Sequence, residues 1–130
     1  MSTFNEIKEE ITALDDFDRY QYVVDWSDKG DDLPEELTTD KNFVKGCTRK
    51  LWCDIHDSKY KTRADALITQ GLARMVCEIF NNMSIEEAQT FKSQTMSELG
   101  LVFSPSRANG MNQLIWRLKD LARERSDLLG

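Results

Sequence analysis

Apolar residues recur at helical spacing in both halves of the chain, on either side of a short β-prone stretch. The first pattern predicts a short helix whose inner face carries Phe4, Ile7, Ile11 and Leu14. A second helix is predicted from Asp16, with an inner side formed by Phe17, Tyr20, Val23, Val24 and Trp26. Gly30 suits a helix stop, and residues 33–37 then form a connecting segment. The amino-terminal part is therefore expected to be helical.

The period changes to two between residues 43 and 63. Phe43-Val44 and residues 51–55 are short β-prone runs, and in the second run Leu51, Cys53 and Ile55 alternate onto one face. Asp57-Ser58 is typical of a turn, so a third strand is expected around residues 59–63. These features predict a small antiparallel sheet.

The helical period returns from Asp65. A broad apolar stripe is formed by Leu67, Ile68, Leu72, Met75, Val76, Ile79 and Phe80. Ser84 opens a capping-box pattern, a short helix is expected before Gly100, and Ser104-Pro105 is a good start for the last helix. That helix is expected to bury Met111, Leu114, Ile115, Leu118 and Leu121. The chain is therefore predicted to be α+β, with helices packed on a small antiparallel sheet in a single domain spanning residues 1–130.

Composition narrows the classes of function. The 130 residues are 40% hydrophobic and 31% charged, which fits a domain with a real core and neither a disordered tail nor a membrane protein. The net charge of −6 gives no general attraction for nucleic-acid phosphates or anionic lipid. No run approaches the roughly 18 apolar residues of a spanning helix, and the amino terminus lacks a signal-peptide layout. We expect a cytoplasmic protein without nucleic-acid or membrane partners.

The cysteines are the candidate chemistry. Cys53 lies on the inward face of a predicted strand and Cys77 on the apolar side of a predicted helix, so both are expected to pack in the core. Cys47 instead follows Gly46 on a polar turn. There it is either a reactive thiol, whose ionised form the cations Lys45, Arg49 and Lys50 would favour, or an incidental surface thiol.

A metal site is the alternative use of these thiols. Four ligands could come from Cys47, Cys53, His56 and Cys77. The spacing lacks a paired C-x2-C knuckle, however, and Cys53 and His56 point to opposite faces of one strand, so no bound metal is predicted.

Two further residue types are ambiguous in the sequence. Arg107 lies in a predicted first helical turn, where a cation opposes the helix dipole, so it is either solvated or held there for another purpose. Trp52 and Trp116 are expected to pack in the core or at its rim.

Three separated segments resemble the SufE/CsdE family, the sulfur-acceptor partners of cysteine desulfurases. Val44-Lys45-Gly46-Cys47 with Leu51-Trp52, after Leu33-Pro34-Glu35-Glu36-Leu37, resembles the family's V-x-G-C-x-x-x-V-W element. Residues 64–72 resemble its S-D-A-x-I-x-x-G-L helix start. Leu101 with residues 104–110 resembles its L-S-P-S-R-x-x-G-L element. The resemblance runs in order from about Phe17 to Arg123.

The resemblance implies an α+β fold like that of the IscU-type scaffolds and a function in sulfur transfer. Cys47 would accept persulfide sulfur from a SufS/CsdA-like desulfurase, a pyridoxal-phosphate enzyme that the chain would stimulate, and pass it to an iron–sulfur scaffold. The chain itself would be no enzyme and would hold no cofactor. Gly46, Asp65 and Arg107 match motif positions and are carried as supporting site residues. The resemblance also suggests that the loop carrying Cys47 rests against an apolar pocket and swings out when the desulfurase docks.

The chain departs from the family pattern at three places, one of which is a short segment between the second and third predicted strands. Thr48-Arg49-Lys50 replaces residues that are usually neutral and polar, and Arg63-Ala64 stands where an acidic residue and serine are common. Three alternatives stay open: a metal-binding iron–sulfur scaffold, a CsdE-like carrier that serves another sulfur pathway, and an interaction module with an incidental thiol.

Overall fold

The computed structural model describes residues 3–46, 50–101 and 105–129, without the side chains of Ser106, Leu128 and Leu129. The helices are α1 (Thr3–Thr12), α2 (Asp16–Asp25), α3 (Leu67–Asn81), α4 (Ile85–Thr90) and α5 (Pro105–Leu129). The strands are β1 (Leu51–His56) and β2 (Lys59–Ala64). Single turns or short runs of 3₁₀ helix occupy Trp26–Asp28, Glu35–Leu37, Asp40–Asn42 and Ser93–Leu99.

The sheet is an antiparallel hairpin of β1 and β2, in which Cys53 pairs with Thr62. Asp57 and Ser58 form its turn, both with positive φ (52° and 66°), as a two-residue hairpin connection requires. The predicted strand at Phe43-Val44 is wrong in extent, because Phe43 makes only a single antiparallel bridge to Trp52. A 3₁₀ turn ends at Asn42 and Gly46 turns the chain away, which leaves too few extended residues for a strand.

The core is built around α3, which is buried along most of its length and packs on β2, α2 and α5. The fully buried side chains there include Met75, Val76, Ile79 and Phe80, and those of α5 include Ile115, Leu118 and Leu121. Burying this apolar area supplies the main driving force for folding. The α+β prediction is confirmed, as is the capping box, in which Ser84 and Glu87 bond reciprocally at 3.0 Å.

Helix α2 contradicts part of its predicted inner face. Val23 is buried there, whereas Phe17 and Tyr20 are 78% and 55% exposed. The helix contacts α3 so closely that a Cβ on Gly71 would lie 2.0 Å from the Val23 carbonyl oxygen. Because this contact with α3 is narrow, it buries Val23 but leaves Phe17 and Tyr20 exposed to solvent.

Among the residues described, no helix is both long enough and apolar enough to cross a membrane.

Candidate functional site

The predicted reactive residue, Cys47, lies outside the described residues, but the chain on both sides of it is described. The amide of Val44 donates a 2.8 Å hydrogen bond to the Leu51 carbonyl oxygen. Residues 45–50 therefore form a loop whose flanking residues, Val44 and Leu51, are hydrogen-bonded to each other. We call these residues the cysteine loop.

The amino-terminal end of the cysteine loop is held by α5. Asn109 Nδ2 donates a 3.0 Å hydrogen bond to the Gly46 carbonyl oxygen. Gly46 has a φ of +94°, and a Cβ placed on it would lie 2.6 Å from Asn109 Nδ2 and 3.1 Å from Gln113 Cγ. The positive φ therefore favours glycine before Cys47, and a Cβ at this position would displace the Asn109 amide from its hydrogen bond.

The carboxyl-terminal end of the cysteine loop is held by Asp65. Its Oδ1 accepts a 3.1 Å hydrogen bond from the Lys50 amide, and its own amide donates a 3.2 Å bond to the Lys50 carbonyl oxygen. Helix α3 begins at Leu67, two residues after Asp65, where the helical pattern returns. No side chain of the described residues caps this helix. The Asp65 carboxylate binds the loop instead of capping the helix.

Arg117 joins the chain that precedes the cysteine loop to the strand that follows it. It donates from Nε to the Cys53 carbonyl oxygen at 3.1 Å and from Nη2 to Asn42 Oδ1 at 2.9 Å. A carboxylate oxygen of Asp54 lies 3.8 Å from the same Nη2. Asn42 is buried and donates from Nδ2 to the Leu37 carbonyl oxygen at 2.8 Å. These bonds fix the 3₁₀ turn that leads into the loop against β1 and α5.

Arg107 lies two residues before Asn109, in the first turn of α5, and is exposed. It lines a cavity of about 330 Å³ together with Ile68, Leu72 and Leu101. Arg19 holds the rim of this cavity by donating to the carbonyl oxygens of Ile11 at 3.0 Å and Gly100 at 3.1 Å. The structure thus brings Gly46 and Asp65 to the two ends of the cysteine loop and places Arg107 at an apolar cavity close along α5 to the Asn109 contact.

Sequence reasoning missed Asn42, Asn109 and Arg117. Asn109 lies inside the family-like segment at residues 104–110, so that motif was the available signal. Arg117 follows buried Leu114 by three residues and precedes buried Leu121 by four, so it is a cation at the edge of an apolar helix face, which also signals a specific partner. Nothing local to Asn42 distinguishes it from other polar residues.

The other two thiols pack in the core, as predicted. Cys53 is 0% exposed and Cys77 is 3% exposed, and both are free thiols. A hydrogen bond with the Cys77 thiol, followed by burial, raises the pKa of Cys53 well above its ordinary value. Cys53 is therefore a neutral, inaccessible thiol at pH 7.

Of the candidate metal ligands, Cys53 and Cys77 contact each other, but the described ranges of the chain bring no third ligand to them. Within those ranges, no three His, Cys, Asp or Glu side chains are grouped so that they could hold a metal ion. His56 Nε2 instead lies 3.4 Å from the carboxylate of Asp57 beside the hairpin turn. Cys47, the fourth candidate ligand, is outside these ranges.

Comparison with known proteins places these features in a family. The family model described as SufE, the Fe-S metabolism associated domain, matches residues 5–122. An uncharacterized SufE-like protein of Rhizobium etli is 28% identical over 138 residues, covering 97% of this chain and 93% of its own. The cysteine desulfuration protein SufE of Wigglesworthia glossinidia brevipalpis is 24% identical, covering 82% of this chain and 79% of its own.

A solved structure has the same fold. The solution structure of a hypothetical protein from Thermus thermophilus superimposes with a TM-score of 0.75 at 19% identity. The match covers 95% of this chain and 97% of that protein, so it confirms the architecture of nearly the whole chain.

Proposed function

Because the chain belongs to the SufE family, we propose that Cys47 accepts sulfur from a cysteine desulfurase as a persulfide and passes it to iron–sulfur cluster assembly. Family membership itself assigns a sulfur-transfer role in iron–sulfur metabolism and an accessory protein rather than a classical enzyme. The proposal adds the acceptor residue, the donor and the direction of transfer.

The transfer is a thiol–persulfide exchange. The Cys47 thiolate attacks the outer sulfur of the desulfurase persulfide and forms a new S–S bond, while the old S–S bond breaks. The electron pair of the broken bond stays on the desulfurase cysteine, which takes the proton that Cys47 released. One persulfide and one thiol are present before and after the step, so no external oxidant or reductant is needed.

The observation that carries the proposal is the way the two ends of the cysteine loop are held. Asn109 bonds Gly46 and Asp65 bonds Lys50, so the chain is held immediately before Cys47 and again three residues after it. Such bonds position the two ends of the chain from which Cys47 extends, and positioning of this kind is what a transfer between two proteins needs. The other two thiols are buried and do not compete for sulfur.

Stimulation of the desulfurase is the second part of the proposal. Removing sulfur from the desulfurase cysteine frees that residue for another turnover, so an acceptor raises the rate when the persulfide limits it. The chain needs no pyridoxal phosphate of its own, because carbon–sulfur bond cleavage is the partner's reaction.

The proposal is tested by the rate at which the desulfurase releases alanine from cysteine with each variant present. We expect stimulation by the wild type and by Cys77→Ala, and none by Cys47→Ser. Stimulation by Cys47→Ser equal to that of the wild type would overturn the assignment of Cys47. Iron or zinc bound at one per chain and lost on Cys47→Ser would instead support a metal-binding scaffold.

A further inference from the structure

Trp116 is an exposed tryptophan on α5, with 60% of its surface in solvent. The sequence predicts packing in the core or at its rim, and the structure shows neither for this residue, whereas Trp52 is half-buried against Phe43. Tryptophan is enriched among the few residues that supply most of the binding energy of protein interfaces.

The position of Trp116 relates it to the cysteine loop. Asn109, Gln113 and Trp116 follow each other at intervals of four and three residues, so they share one face of α5. The first two of these residues contact Gly46, the residue before Cys47. At a rise of about 1.5 Å per residue, Trp116 lies about 10 Å along the helix from Asn109.

The ring of Trp116 is restrained by its own helix. Lys119 Nζ donates a 2.8 Å hydrogen bond to the Phe91 carbonyl oxygen and lies 5.5 Å from the Trp116 ring centroid. The fixed ammonium therefore makes a cation–π contact with the ring. A side chain that is already restrained loses less conformational entropy when it binds.

Exposed cations lie at both described ends of the cysteine loop in a chain whose net charge is −6, and the carboxylate of Asp65 at the loop is bound to the Lys50 amide. Lys45 and Lys50 are exposed at the two ends of the cysteine loop, and Lys119 lies beside Trp116. The carboxylate next along α5, Asp120, is neutralised by an ion pair with Arg123 at 2.7 Å. A partner that fits this surface carries acidic groups around an apolar recess.

We propose that Trp116 anchors the cysteine desulfurase, inserting into an apolar recess with an acidic rim on that enzyme. This inference rests on the proposed function, because the desulfurase must approach Cys47. A standard interface covers about 800 Å² per partner, equivalent to a disc of about 16 Å radius. A partner centred on the cysteine loop therefore covers a residue about 10 Å from the Asn109 contact.

The test compares Trp116→Ala with Phe17→Ala, which removes a similarly exposed aromatic residue from α2. Binding is measured by calorimetry to the desulfurase of the same organism, with its nucleophilic cysteine replaced by serine. We expect Trp116→Ala to raise Kd about 30-fold, which is typical of an interface hot spot, and Phe17→Ala to change it less than about twofold. Lys45→Glu with Lys50→Glu should weaken binding and reduce its salt dependence.

A second readout follows the ring itself. The tryptophan emission of the wild type minus that of Trp116→Phe isolates Trp116, and we expect iodide to quench this difference in the free protein but not in the complex. Equal affinities of wild type and Trp116→Ala, with quenching retained in the complex, would overturn the inference. Loss of a concentration-dependent dimer in Trp116→Ala without a change in Kd would also overturn it, since the covering partner would then be a second copy.

These outcomes separate the anchor from the proposed function. If sulfur loads on Cys47 with equal efficiency in the wild type and in Trp116→Ala, the role of Trp116 as an anchor is contradicted and the proposed function is supported. If the wild type binds the desulfurase through Trp116 but no sulfur loads on Cys47, the proposed function is contradicted and the docking surface is supported.

Discussion

The side-chain amide of Asn109 donates a 3.0 Å hydrogen bond to the carbonyl oxygen of Gly46, although the two residues are 63 positions apart. The bond joins the start of α5 to the residue before Cys47. A bond of this kind contributes about 1 kcal/mol to stability, and it fixes the position of Gly46 relative to α5. Together with the Asp65–Lys50 bonds, it holds the cysteine loop at both ends.

Gly46→Ala tests the close contact with α5. We expect Gly46→Ala to lower the free energy of unfolding by more than about 2 kcal/mol, because the positive φ costs about 1–2 kcal/mol and the new Cβ also meets Asn109. Gly30→Ala is the matched control, since Gly30 has a φ of +82° but no described atom within 4 Å of the added Cβ. Urea unfolding of both variants gives the difference.

The clash and the φ strain can be separated. Adding Asn109→Ala to Gly46→Ala removes the closest contact, at 2.6 Å, and leaves the φ strain and the 3.1 Å contact with Gln113 Cγ, so part of the lost stability should return. Equal losses in Gly46→Ala and Gly30→Ala would show that Asn109 does not crowd Gly46 in solution.

Asp65 acts on the cysteine loop through a hydrogen bond to the Lys50 amide. We expect Asp65→Ala to lose about 1 kcal/mol of stability and to slow sulfur acceptance several-fold, because the carboxyl-terminal end of the loop is released. Asp65→Asn keeps an oxygen in the same place and should retain most of both. The measurements are urea unfolding and the initial rate of sulfur transfer. Equal defects in the alanine and asparagine variants would mean that the charge, and not the hydrogen bond, matters.

The pKa of Cys53 makes stability depend on pH in the alkaline range. In the unfolded chain this thiol ionises near its ordinary value of 9.0, whereas in the folded protein the hydrogen bond with Cys77 and burial hold the pKa well above it. The folded state therefore binds more protons than the unfolded state above about pH 9, and stability falls as the pH rises.

The variant that checks this is Cys53→Ala. We expect it to be less stable than the wild type at pH 7, because a buried side chain is removed, but to lose less stability between about pH 8 and pH 10. The measurement is the midpoint of urea unfolding of the wild type and of Cys53→Ala at several pH values across this range. Parallel curves for the two proteins would show that Cys53 ionises normally in the fold.

Alkylation can report on Cys47 alone, since Cys53 and Cys77 are buried. A persulfide open to small cytosolic thiols would be lost by exchange, so a carrier benefits from keeping its cysteine covered between partners. We expect slow labelling of Cys47 by iodoacetamide in the free protein and faster labelling when an inactive desulfurase is present. Cys47→Ser gives the background. Rapid labelling that the desulfurase leaves unchanged would contradict a covered cysteine.

The sequence predicted the elements that depend on local periodicity. The Ser84 capping box and the hairpin turn at Asp57-Ser58 occur where the pattern places them. The apolar stripe of α3 is buried from Leu72 onward, but its first predicted member, Leu67, is 67% exposed. Phe17 and Tyr20 were assigned to an inner face and are exposed, because the periodicity of a ten-residue helix does not tell how much of it a neighbour covers. The single-domain prediction stays a prediction.

The residues that hold the two ends of the cysteine loop were only partly predictable from the sequence. The family-like motifs identified Gly46, Asp65 and Arg107 but not what each contacts. The bond between Arg117 and Asn42 joins residues 75 positions apart, and no local rule links them. Such contacts depend on how α5 packs against β1, which is a property of the assembled fold.

The location of transferred sulfur tests the role of Cys47 most directly. The protein is incubated with active desulfurase and cysteine, separated from the enzyme, and analysed by tandem mass spectrometry of its peptides, with Cys53→Ala, Cys77→Ala and Cys47→Ser in parallel. We predict one or more added sulfur atoms on the Cys47 peptide in the wild type and in the first two variants, and none anywhere in Cys47→Ser. Sulfur on Cys53 or Cys77 with Cys47 unmodified, or sulfur retained by Cys47→Ser, would contradict Cys47 as the acceptor.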